Sequence, residues 1–508
     1  MFCETYMAVI MFILGCLLFV PDFGLHRVTV HAPFRIGKVM TWLVAACVIL
    51  VLILPMKLAP HWNGTIQDHR NQYELMAESL LEGRLHIDYQ DIDPRLEEME
   101  NPYDPEARKE AEIAVHWDHA WYNGHYYMYF GIVPVLFVFL PFRILAGHAL
   151  NTMYATMLFT GLGVVGLFAL FEMLVRRFFP KMTLGTYLIL SISVSFISFW
   201  YASGFPALYC TAITSGMCLE IWSFYFFFRA VYVIRKENHQ ILCAAFGALC
   251  GALAVGCRPT VALANFLVLP LLAAYLLRKK DAGELNRRLA GKLFLAALPY
   301  FIVIAGLMIY NDVRFDSPFE FGQSYQLTVA DQHMYGSFLS TLDPETLFNG
   351  IKENLFKPIE FTNDFPWVSY GGVCWSFPLL LLGMAVLLPK VLRAAGKERM
   401  AAVLIGLLFL PPLITMFDVL WSPYLLERYQ MDIVYLMGIS TFLAVGFLGE
   451  QIEEKKKAAV FRGFVSFLGV AAILSAVLLW LVPYDYNYTD YVEGALEKTA
   501  RWLFFLKP

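Results

Sequence analysis

Apolar stretches of about twenty residues recur along nearly the whole chain, and this recurrence constrains the fold more than any other feature. A bilayer core about 30 Å thick needs roughly 20 apolar residues per helical crossing. Such spans fall near 5–20, 39–58, 151–175, 183–201, 207–228, 239–257, 259–277, 293–311, 374–389, 401–417, 430–449 and 463–482. Composition agrees: 59% of the residues are apolar and 16% charged, against about 45–50% and about 25% in soluble domains, and the mean hydropathy is +0.57. Disordered, collagen-like and disulfide-scaffold chains are excluded, and an ordinary soluble enzyme is a poor fit. The sequence therefore predicts an all-α polytopic membrane protein. The net charge of −4 says nothing of partners; the placement of the charges does.

A thirteenth apolar stretch, 129–147, contains Pro134, Pro141, Arg143 and Gly147, which are awkward in a clean crossing. Basic residues decide its status. Six loops, from Arg27–Lys38 through Arg176–Lys181, Arg229–Lys236, Arg278–Lys292 and Lys390–Arg399 to Lys455–Arg462, hold 23 of the 38 Lys and Arg residues. If 129–147 is re-entrant or interfacial, all six lie on the cytoplasmic side, as the positive-inside rule requires. A full crossing would move five of them outside. The expectation is about twelve crossings with both termini outside. Because the first stretch follows Glu4 and lacks a small-residue cleavage site, it reads as an anchor rather than a removed signal.

The expected organisation is then N-terminal spans over 1–58, the first of them additional, and a first external loop with juxtamembrane helices and the interfacial segment over 59–150. A membrane core over 151–311, an external loop over 312–373, C-terminal spans over 374–482 and an external tail over 483–508 follow. Loops this long are usually functional. All nine cysteines lie in or beside apolar stretches and none in a CxxC pair, so neither a disulfide framework nor a zinc site is expected.

Within the first external loop, residues 71–81 read as an amphipathic helix with Tyr73, Ala77 and Leu80 on one face and Gly83 as its stop. Asp68 lies just ahead, at the depth of lipid headgroups; it either caps that helix or serves chemistry there. The run from His116 to Tyr127 is dense in aromatic rings, which form interfacial belts and also stack on sugars. Its His116, Asp118 and His119 leave a metal open without specifying one. Glu97, Glu98, Glu100, Glu106, Glu110 and Glu112 read as a solvated helical face. On the external side, outside the long loops, the tail and the 129–147 stretch, only two arginines remain, Arg258 and Arg428. A guanidinium at such a depth is costly and suits a bidentate anion. For Arg428 the alternatives are a pair with Glu427 or snorkelling to the headgroups. Arg258 has no acid nearby in sequence. No nucleotide-binding phosphate loop is present.

Taken together, these residues resemble the GT-C superfamily of membrane glycosyltransferases, which includes protein O-mannosyltransferases and the aminoarabinose transferase of lipid A. The resemblance rests on Asp68, Tyr73 and the run Ala77, Ser79, Leu80, Gly83; on Asp118, Tyr122, Gly124, Tyr126, Tyr127, Pro134 and Pro141; on the loop Asn311–Gly322; and on Arg428-Tyr429. It implies a polyprenyl-phosphate-sugar donor, an inverting transfer to a glycan, lipid or protein acceptor at the extracytoplasmic face, and Asp68 as general base. Asp118 joins Asp68 as a catalytic candidate. Arg258, Arg428, Tyr429, Tyr73 and His116 are the substrate-binding candidates. No cofactor is implied with certainty, although a divalent metal fits some relatives; membrane lipids are partners and nucleic acid is not. This sequence departs from the pattern in having His69 where many relatives have Glu, no acid in the loop Tyr201–Pro206, and Asp316 in place of a glycine. A transporter or lipid flippase is the alternative, with Glu172 and Glu220 as the ionisable groups noticed inside spans; a polysaccharide polymerase or ligase is a third reading.

Overall fold

The computed structural model describes residues 24–26, 28–30, 35–58, 72–206, 208–332, 343–361, 368–421, 425–480 and 482. Asp68, the stretch 5–20 and the tail 483–508 lie outside the described residues. The chain order begins with helix α1 (Arg35–Leu58), α2 (Gln72–Leu81), α3 (Arg95–Glu98) and α4 (Pro105–Glu110). A hairpin of β1 (Ala120–Tyr122) and β2 (His125–Tyr127) follows, pairing Ala120 with Tyr127 and Tyr122 with His125. The body comprises α5 (Leu140–Ala146), α6 (Thr152–Phe178), α7 (Leu184–Gly204), α8 (Leu208–Phe228), α9 (Glu237–Val255), α10 (Val268–Asp281) and α11 (Arg287–Phe315). The last third holds α12 (Pro344–Phe356), α13 (Val373–Ser376), α14 (Pro389–Lys397), α15 (Ala401–Trp421), α16 (Met431–Glu450) and α17 (Lys455–Leu479).

Among the described residues, nine helices are long and apolar enough to cross a membrane. A tenth span is available if the 3₁₀ segment Pro378–Leu387 and α14 count as one, although they meet at 72°. Helix α8 matches the expected span 207–228 in length, but Thr211, Thr214, Ser215, Glu220 and Ser223 make it more polar. The ambiguous stretch becomes a short helix over Val135–Ala146, about 18 Å long at 1.5 Å per residue, which falls short of the apolar thickness of a bilayer.

Helices α7 and α16 form the buried centre of the body. Polar residues survive there because hydroxyls bond back along their own helix: Ser191 donates to the Tyr187 carbonyl at 2.8 Å and Ser195 to that of Ser191 at 2.8 Å. Side-chain caps start several helices, with Asn151 before α6, Thr183 before α7 and Asn286 before α11. Helix α11 instead leaves Phe301, Ile302 and Ile309 exposed, a surface suited to lipid.

The two ends of the body differ. At one end the six basic loops are tied together. Val30 and Met182 share a backbone bond, and Lys181 binds Glu450. Arg177 reaches both Glu398 and the Tyr232 carbonyl, Arg399 pairs with Asp281, and Lys292 with Glu237. At the other end the two long segments make one cap rather than two separate loops. Asp118 N donates to Leu327 O at 2.9 Å, Leu327 N to His119 O at 2.8 Å and Trp121 N to Tyr325 O at 2.8 Å. Buried Arg108 donates to the carbonyls of Pro102 and Thr328.

Candidate functional site

Helix α2 forms over nearly the expected residues and buries Tyr73, Met76 and Ala77. Gly83, at φ +75°, supplies the left-handed residue that ends it. Tyr73 stacks on Phe139, with ring centroids 5.1 Å apart. Its hydroxyl is buried with no hydrogen-bond partner among the described residues. Burial pushes the Tyr73 phenol well above its usual pKa, with Cys257, Arg258 and Tyr129 as its charged or titratable neighbours.

Asp118 is buried and adopts a left-handed backbone, φ +57°. Its carboxylate accepts from Gln326 Nε2 at 3.0 Å and from the Tyr209 hydroxyl. Its backbone carbonyl accepts from Gln72 Nε2 at 2.7 Å, so α2, the cap and the first turn of α8 converge on one residue. The Tyr209 ring in turn carries Arg428, whose guanidinium carbon lies 4.0 Å from the ring centre. Arg428 belongs to the 3₁₀ turn Glu427–Gln430 that leads into α16.

Tyr429 lies between the two arginines, 5.0 Å from Arg258 and 5.7 Å from Arg428. Arg258 occupies the turn between α9 and the 3₁₀ segment Val261–Leu267. Its Nε donates to both oxygens of Asp432, at 3.1 and 2.8 Å, and the Thr260 hydroxyl donates to Oδ2 of the same carboxylate at 3.0 Å. The terminal guanidinium nitrogens of Arg258 make no hydrogen bond to the described residues. Partly buried Tyr129 completes the wall: its hydroxyl donates to Gln323 Oε1 at 2.6 Å. Burial raises its pKa, and Tyr429, Arg258, Asp118 and Arg428 surround it.

The structure thus gathers Asp118, Tyr73, Arg258, Arg428 and Tyr429 around one locus at the cap end. His116 is not brought there. It stacks on Tyr89 at 3.5 Å and pairs with Asp91 at 3.1 Å on the cap's own surface. His116, Asp118 and His119 do not converge on a metal either, since His119 is engaged by Tyr89 and the Trp117 carbonyl. Among the described residues no group of three or more acids, histidines or cysteines is placed to hold a metal ion.

Three site residues were not legible in advance. No acid stands near Arg258 in sequence, and its partner Asp432 comes from far along the chain. Asp432 also extends the short set of ionisable groups inside spans, and it stands one helical turn after Arg428, a spacing that carried the signal. Asp418 is buried at the end of α15, with neither oxygen hydrogen-bonded to a described residue. Tyr209 had no signal beyond being a tyrosine at a helix start.

No protein-family model and no curated protein matches this sequence. Solved structures similar to it include ArnT from Cupriavidus metallidurans. Its apo form shows 12% identity and a TM-score of 0.42, with 87% of this chain and 77% of that one covered. Its form bound to undecaprenyl phosphate gives 13%, 0.42, 88% and 78%. The apo oligosaccharyltransferase of Archaeoglobus fulgidus is similar at 13% identity, a TM-score of 0.34, and 89% and 59% coverage.

Proposed function

We propose that this chain is an inverting membrane glycosyltransferase that moves a sugar from a polyprenyl-phosphate-linked donor to an acceptor at the extracytoplasmic face. The observation that carries the reading is the state of Arg258. Asp432 and Thr260 hold the Arg258–Asp432 pair from behind, leaving the fork of terminal nitrogens open beside a second guanidinium, Arg428. A fork of that kind matches the oxygens of a phosphate. It supplies fixed positive charge where the leaving phosphate gains negative charge as the glycosyl bond breaks.

Two roles are assigned on the acidic side. Asp68, from the resemblance, takes the proton of the acceptor hydroxyl. Asp118 holds the cap over the site through Tyr209 and Gln326. The orientation follows from the six basic loops collected at the opposite end, which the positive-inside rule assigns to the cytoplasm. A metal would have to be completed by residues beyond those described, so no step is assigned to one.

Reconstituted protein supplied with a labelled lipid-linked sugar tests the reading. Label appearing on an acceptor, abolished by Asp68→Asn with the fold intact, supports it. A solute carried across unchanged supports the transporter alternative, which the interior carboxylate of Glu220, without a hydrogen-bond partner among the described residues, favours. Arg258→Ala and Arg428→Ala should weaken donor use more than acceptor use; equal effects on both substrates would remove the phosphate assignment.

A further inference from the structure

The cap carries a row of tyrosine rings that the arginine locus does not use. Its floor is Phe315 and Tyr127, both buried, with ring centroids 5.2 Å apart. Tyr122 and Tyr325, each half-buried, meet Phe315 at 5.8 and 5.6 Å. They lie 4.6 Å from each other, and Tyr103 extends the row 5.8 Å beyond Tyr325. Rings packed on rings make a continuous platform rather than a cage. The platform is joined to the locus through the cap backbone, where Trp121 N donates to Tyr325 O. The neighbouring side chains of Gln326 and Gln323 bond Asp118 and Tyr129.

Two carboxylates accompany the rings. Asp316 ends α11 in a left-handed conformation, φ +52°, where glycine fits with less strain. Its exposed carboxylate accepts the Tyr122 hydroxyl at 3.0 Å. Glu320 accepts from the backbone N–H groups of Gly322 at 2.6 Å and Ser324 at 3.3 Å, on the approach to Tyr325. Neither acid forms an ion pair with a described residue. A sugar presents C–H groups on its ring faces and hydroxyls at its edge. The C–H groups suit the negative faces of aromatic rings, and a carboxylate, which only accepts, has lone pairs to spare for the hydroxyls. An anionic ligand would instead meet charge of its own sign.

We propose that this platform binds the acceptor and that the acceptor is an uncharged glycan. Tyr122 and Tyr325 stack on its sugars, and Asp316 accepts their hydroxyls. The inference deepens the proposed glycosyl transfer and rests on it. It also accounts for the backbone of Asp316, because strained conformations persist where a side chain is needed for a ligand. Glycine there would serve the fold and lose the carboxylate.

Saturation-transfer NMR titrations of the full-length protein in lipid nanodiscs provide the test. Cellotetraose, chitotetraose and mannotetraose are the uncharged probes, tetraglucosamine the cationic one and tetragalacturonate the anionic one. At least one uncharged probe is expected to bind, and tetragalacturonate is not. Tyr122→Ala and Tyr325→Ala should each weaken that binding by about tenfold or more, as loss of an anchoring ring does. Asp316→Gly should weaken it by about tenfold while unfolding no earlier than wild type, a combination that misfolding cannot imitate. The proposal is overturned if no uncharged probe binds, if only charged probes bind, or if tetragalacturonate binds as tightly as the uncharged ones. Wild-type affinity in folded Tyr325→Ala or in Asp316→Gly overturns it equally. If the alanine variants do not fold, Asp316→Gly decides. Farnesyl methyl phosphate, a diester with one fixed negative charge, is titrated alongside. Its binding to wild type, weakened by Arg258→Ala and unmoved by Asp316→Gly, keeps the transfer reading in place even where the sugars fail. If it does not bind wild type, the transfer reading falls, and the acceptor assignment with it, even where the sugars bind.

Discussion

Asp432 lies one helical turn beyond Arg428 in α16, yet the arginine it bonds is Arg258, from the turn after α9, at 2.8 Å. One carboxylate thereby ties the helix that follows the second arginine's turn to the hairpin that carries the first arginine. The pair is buried on the acid's side and partly open on the arginine's, with side-chain exposures of 0% and 16%. That asymmetry lets a guanidinium be held rigidly and still be offered to a ligand.

Breaking this pair from one side should cost more than removing it. Arg258→Ala leaves Asp432 buried and uncompensated, a loss of about 3–5 kcal/mol for pairs of this kind. The double variant Arg258→Ala, Asp432→Asn should recover a substantial part of that stability, because no orphaned charge remains. Thermal unfolding of the four proteins of the cycle in detergent measures the coupling. Additive effects would mean that the two side chains do not interact.

Tyr209 should act on the cap and on Arg428 separately. Tyr209→Phe removes the hydroxyl that Asp118 accepts but keeps the ring under Arg428. We expect a cost of about 1–3 kcal/mol from the poorly satisfied buried carboxylate. It should be seen as faster hydrogen exchange in residues 118–127 with little change around Arg428. Tyr209→Ala also removes the cation–π contact and should speed exchange at both places. Identical exchange maps for the two variants would show that the hydroxyl carries none of the coupling.

The membrane body was largely legible because its signal is local. Apolar runs of helical length and the clustering of Lys and Arg in six loops each stand in one stretch of sequence, as α6, α9 and α17 show. Helix α2 was legible for the same reason, since Tyr73 and Ala77 are one turn apart. Arg258 and Arg428 were visible as charges out of place. Their surroundings were not, because the Arg258–Asp432 and Asp118–Tyr209 pairs are products of tertiary folding and leave no local pattern. The union of the two long loops was hidden likewise: its bonds join backbone groups of 118–121 to those of 325–327, and backbone groups are the same in every residue.

Acid should loosen the cap before it affects the membrane body. His86 stacks on His125 with ring centroids 4.3 Å apart. Burial, then the neighbouring His125 and Arg84, hold the His86 pKa below its usual 6.5. A histidine whose folded pKa is depressed binds fewer protons folded than unfolded. Its contribution to stability is therefore complete above about pH 6.5 and is lost as the pH falls through that value toward the folded pKa. Protease sensitivity of the cap should rise over this window, and His86→Gln should flatten the response. An unchanged acid response in His86→Gln would place the sensitivity elsewhere.

Gly131 offers a way to disturb the arginine site without touching any charged group. The segment after Tyr129 runs against the Arg258 hairpin, with Val133 N donating to Gly256 O at 2.9 Å. A Cβ at position 131 would stand 2.2 Å from Gly256 O and 2.5 Å from Cys257 O. Both obstacles are backbone atoms, so the clash cannot be relieved by turning a side chain, and the hairpin itself must move. Strain of this kind typically costs about 1–3 kcal/mol. The functional loss should be larger, because displacing a positioning group by about 1 Å can cost about a hundredfold in rate. Gly131→Ala should therefore lower donor use far more than its modest loss of thermal stability suggests. Gly396→Ala, where a Cβ meets nothing within 4 Å, should leave both unchanged. A Gly131→Ala protein that unfolds later than expected and transfers at the wild-type rate would mean that the hairpin yields freely, and that Arg258 does not depend on this contact for its position.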